Sequence, residues 1–98
     1  MNIDELIHSA ATDAAPSTEL SPELAALWHT KAGNWEQAHN IAQDIHTPMG
    51  SWIHALLHLI EGDIGNAGYW FSRANRPTRN VEEIDSEWVA IANELLSA

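Results

Sequence analysis

His54, His58 and Glu61 are the residues of this chain whose types and spacing hold the most chemistry. With Ser51 they fall at i, i+3, i+7 and i+10, which places all four on one face of a helix. Two imidazoles at i, i+4 chelate a divalent ion, and Glu61 stands where a third ligand is needed. The preceding segment carries a second polar series, His39, Gln43 and His46, at i, i+4 and i+7. If the two helices pack antiparallel, these stripes face each other. His39, Gln43, His54, His58 and Glu61 then line a groove.

Three readings of the stripe stay open. In the first it is structural, a solvated face or a set of buried imidazoles hydrogen-bonded to nearby carboxylates and carbonyls. In the second, His54, His58 and Glu61 hold a divalent metal. In the third, the groove takes a peptide or a partner protein, and the chain is a non-enzymatic interaction module. The third is the principal functional expectation, and metal binding is its alternative.

Enzymatic signatures are sparse. Ala55 follows His54, so the glutamate that a zinc-protease helix places beside its first histidine is missing. There is no cysteine, which excludes disulfides, thiolate nucleophiles and thiolate metal sites. No glycine-rich phosphate loop and no serine in a nucleophile turn is present. His58 and Glu61 form an acid–base pair at i, i+3, a spacing that helices adopt for simple electrostatic reasons. No catalytic residue is expected, and no cofactor apart from the alternative metal.

The net charge of −10 comes from fourteen carboxylates against four basic side chains. Such a surface repels polyanions, so neither nucleic acid nor an anionic membrane is an expected partner. Arg73, Arg76 and Arg79 read as cations near a helix C-terminus, where the helix dipole favours them, rather than as an anion-binding patch. The longest apolar stretch, Ile53 to Ile60, is interrupted by His54 and His58 and is too short to span a bilayer. Met1 to Glu5 lacks the positive start of a signal peptide, so a cytoplasmic location is expected. Any of the five tryptophans left exposed would mark a homodimer face.

Helices must position these groups. The expectation is one all-α domain over residues 1–98, with an N-terminal helix and linker at 1–20, two helical hairpins at 21–76 and a capping helix at 80–98. Asn2 to Ala10 has helical apolar spacing, and Pro16, Ser17 and Thr18 mark the linker. Ser21-Pro22-Glu23 is a helix start, with N-cap serine, proline at the first position and an acid in the first turn. Gly33-Asn34 and Gly62-Asp63 each end one helix and cap the next. Pro48 and Gly50 read as a break before a fourth helix from about Ser51 to Glu61. A fifth runs from Ile64 to Ala74, and Asn80 caps a sixth. No segment shows the period-two alternation of a strand.

The two glycine turns lie 29 residues apart, and Ala38 and Ala67 each sit five positions after their glycine. In the second copy Ala67, Phe71 and Ala74 resemble the small–aromatic–small pattern in the second helix of a tetratricopeptide repeat. In the first, Ala38, Ala42 and Ile45 follow it more loosely. The resemblance covers about Leu24 to Ala74. It implies about six helices, with two tandem antiparallel hairpins between flanking caps. The period is shorter than the usual 34 residues or so. Trp35 to His39, Trp52 to Ala55, His58, Glu61 to Asp63, Asn66-Ala67 and Tyr69-Trp70 also look like a set of small bacterial all-α proteins. That likeness implies the fold and says nothing of chemistry.

Overall fold

The structure is a computed structural model and describes residues 1–97. Six α-helices and no strand are found among these residues: α1 (Ile3–Thr12), α2 (Pro22–Ala32), α3 (Trp35–Gln43), α4 (Pro48–Ile60), α5 (Ile64–Arg73) and α6 (Ile84–Leu96). A 3₁₀ turn, Val81–Glu83, leads into α6. Neighbours in sequence are neighbours in space. α2 packs on α3, α3 on α4, and α4 most extensively on α5, an arrangement compatible with tandem hairpins. α1 lies on α2, while α6 crosses one side of the stack and touches α1, α2 and α4.

Capping explains the boundaries. Gly33 and Gly62 adopt φ of 85° and 84°, the left-handed turn that ends a helix without a Cβ penalty. Ser21 accepts from the Leu24 amide, Asp63 from the Asn66 amide, and Asn80 forms a capping box with Glu83. Asn34 departs from expectation, because its side chain makes no cap bond and meets His29 Nδ1 at 3.2 Å. The expected break at Pro48 and Gly50 is instead the first turn of α4. Thr47 is its N-cap and Pro48 takes the first helical position, where a proline has no hydrogen bond to lose.

α4 forms the centre of the core. Trp52, Ile53, Ala55, Leu56, Leu57 and Leu59 are buried, so it is covered on nearly every side. The tryptophans tie distant elements together by donating indole N–H groups. Trp28 donates to Ser9 Oγ (3.0 Å), Trp35 to the Leu57 carbonyl (2.7 Å), Trp52 to Glu87 Oε2 (2.8 Å) and Trp88 to the Leu27 carbonyl (3.0 Å). No tryptophan is exposed among the described residues, which removes the reason for expecting a tryptophan dimer face. No helix there is long and apolar enough to cross a membrane.

Two of the three arginines serve tertiary contacts rather than a helix dipole. Arg76 pairs with Glu94 at 2.8 Å and lies over the Trp52 ring. Arg79 reaches Glu83 Oε2 and the buried Glu87 Oε1, both at 3.3 Å. The contact of Arg79 Nε with Glu87 is an ion pair without hydrogen-bond alignment. Glu87 is therefore fixed from two sides, by an indole and a guanidinium. Replacing it with alanine strands the Trp52 N–H and should cost about 2–3 kcal/mol in urea denaturation. Glu87→Gln keeps an acceptor for Trp52 and should cost less.

Candidate functional site

The two histidines of α4 face inward, while Ser51 is half-buried and Glu61 exposed. His54 and His58 are only 6% and 8% exposed, and His39 of α3 is half-buried beside them. One ring nitrogen from each of His39, His54 and His58 lies within 4.8 Å of the other two. The rings pack as an aromatic cluster: His54 and His58 stack at 4.8 Å between centroids, and His39 meets them edge-on at 4.6 and 5.4 Å. Two tryptophans bracket the three imidazoles. Trp35 stacks on His39 at 4.8 Å, and Trp70 of α5 stacks on His54 at 4.1 Å.

Local sequence accounts for this placement. α4 is apolar on its remaining faces, so packing against α2, α5 and α6 leaves the histidine face toward α3 and Trp70. The indole of Trp35, locked to the Leu57 carbonyl, fixes the start of α3 over the end of α4. His39, one turn further along α3, is thereby delivered to the His54–His58 pair.

The residues expected from the sequence do not all meet at one point. Glu61 stands at the outer side of His58, its Oε1 2.6 Å from Nδ1. The set that converges with His54 and His58 includes His39 in its place. A second group, His58, Glu61 and Asp63, has two exposed carboxylates, and Asp63 is already engaged as the cap of α5. The His39–Gln43–His46 series splits because α3 ends at Gln43. Gln43 and His46 are exposed and line a neighbouring cavity with Ser51. Trp35 and Trp70 belong to the site, although their roles depend on helix packing that no local pattern announces.

The electrostatics favour the uncharged forms of His39 and His54. Burial, then the His39 and His58 charges, pushes the His54 imidazole down from 6.5 to about 4. His39 is lowered by burial and then by His58, with Glu61 opposing. The linkage sign follows for His54. Between its unfolded value of 6.5 and its folded value of about 4, the unfolded chain binds the extra proton. Stability from this group is complete above pH 6.5 and is lost progressively as pH falls toward about 4. Urea midpoints across that window should fall with pH in the wild type, and less steeply in His54→Leu.

No known protein family matches this chain, and no curated protein or solved structure matches it. The chemistry is therefore read from the geometry alone.

Proposed function

We propose that the chain is a divalent-metal-binding protein whose ion is held by His39, His54 and His58, with Glu61 supporting His58 from outside. The observation that carries this reading is the approach of three imidazole nitrogens to within 4.8 Å of one another, two of them on buried residues. Neutral imidazole is the form that binds metal, and the depressed basicity of His39 and His54 keeps that form available. The Glu61–His58 contact supports it further. A carboxylate on one ring nitrogen sets the tautomer and ring orientation and leaves the other nitrogen to the ion.

Three nitrogen ligands favour zinc, copper, nickel or cobalt over calcium or magnesium. Tetrahedral zinc with bonds of about 2.0 Å needs nitrogens about 3.3 Å apart. Loading an ion would therefore require ring rotations that draw the three nitrogens together.

The reading is preferred to the peptide groove expected from the sequence because His54 and His58, at the centre of that groove, are buried. Residues 6% and 8% exposed offer little to an extended peptide. Equilibrium dialysis of tag-free protein against zinc, followed by elemental analysis, tests the proposal. One ion per chain is expected, with loss of binding in His39→Ala and in His54→Ala. Folded wild-type protein that retains no zinc at micromolar concentration refutes it.

A further inference from the structure

Beside the histidine cluster, a cavity of about 290 Å³ opens where the α3–α4 loop passes the last turn of α5. Its polar lining comes from Gln43, His46, Thr47, Ser51, His54 and Arg73, with Trp70 forming an aromatic wall. Among the described residues no aspartate or glutamate lines it, although the chain carries fourteen carboxylates. This is a local reversal of the molecule's overall charge.

Arg73 sharpens the contrast. Arg76 and Arg79 are both paired with glutamates, whereas Arg73 has no carboxylate partner among the described residues. Its guanidinium meets only the Tyr69 hydroxyl at 3.3 Å and lies near the Tyr69 and Trp70 rings. His54 is 6% exposed, lines the cavity, and makes no hydrogen bond among the described residues.

We propose that this cavity binds a small organic carboxylate. Arg73 receives the acid group as a charge-assisted hydrogen-bond donor, with His46 and Ser51 as polar neighbours. The apolar part of the ligand rests against Ile45 and Trp70, which line the same space. The volume is at the small end of ligand sites, which restricts the ligand to metabolite size. The site shares His54 with the metal cluster but does not depend on an ion being there.

The test is an amide NMR titration of the full chain in the presence of EDTA, with benzoate, succinate and inorganic phosphate as probes. Saturable shifts confined to His46–Ser51 and the surroundings of Trp70 and Arg73 are expected for a carboxylate. Arg73→Gln should weaken binding about tenfold or more, while Lys31→Gln, remote from the cavity, leaves it unchanged. Arg73 is exposed, and the dispersion of the variant spectrum verifies its fold. No saturable local shift at millimolar probe, unchanged affinity in folded Arg73→Gln, or phosphate binding as tightly as either carboxylate would overturn the proposal. Carboxylate binding seen only after zinc loading also overturns it, whereas carboxylate binding without zinc uptake leaves it standing and sinks the metal reading alone.

Discussion

Zinc at a hundred times its dissociation constant is expected to raise the melting temperature of the metal-free protein by about 10–20 °C. An ion that binds only the folded chain adds about 2.7 kcal/mol at that concentration. For a domain of 98 residues each kcal/mol corresponds to about 4–8 °C. Thermal melts with and without EDTA measure the effect. The informative variant is His39→Phe, which keeps a ring stacked on Trp35 at the half-buried rim but removes a ligand. Its metal-free melting temperature should stay within a few degrees of wild type, while most of the zinc-dependent rise disappears. If the cluster were only an aromatic stack, zinc would change nothing in either protein.

Gly50→Ala should be the most damaging small substitution in the chain, costing about 3 kcal/mol or more in urea denaturation. A Cβ at position 50 would stand 2.0 Å from the Ile45 carbonyl oxygen and 2.8 Å from Ile45 Cβ and Cγ2. The nearest obstacle is backbone, so no side-chain rotation relieves it. The first turn of α4 has to move away from the loop that follows α3, and the cavity wall moves with it. Gly65→Ala and Gly68→Ala in α5 provide the control. An added Cβ meets nothing within 4 Å at either position, and helix propensity should make each stabilising by up to about 1 kcal/mol.

Much of the architecture is legible in local signals. Gly33 and Gly62 announce their turns because a left-handed residue at a helix end is a local requirement, and both adopt it. The start of α4 was equally available. Thr47-Pro48 repeats the cap-and-proline device of Ser21-Pro22, but Gly50 beside it reads as a breaker unless its close contact with Ile45 is known. That contact is tertiary.

The candidate site divides in the same way. The i, i+4 pair on α4 is visible as spacing, and so is the neighbourhood of Glu61. The exchange of Glu61 for His39 as the third converging group follows from how α3 lies over α4, which the Trp35–Leu57 hydrogen bond fixes across 22 positions. Glu61, the C-cap residue of α4, approaches His58 from the outer side. Trp70 and Arg73 come to the site from α5, so their parts depend on the α4–α5 packing. Arg79 and Glu87 are a further case, because no pattern around either residue marks a buried pairing.

The central claim is that His39, His54 and His58 act together on one ion. X-ray absorption at the zinc edge of the zinc-loaded chain addresses it most directly. The expected spectrum has three imidazole nitrogens at about 2.0–2.1 Å and one oxygen ligand at similar distance. His39→Ala should lower the imidazole number by one. A shell made mainly of oxygen, or an imidazole count unchanged in His39→Ala, would contradict the account.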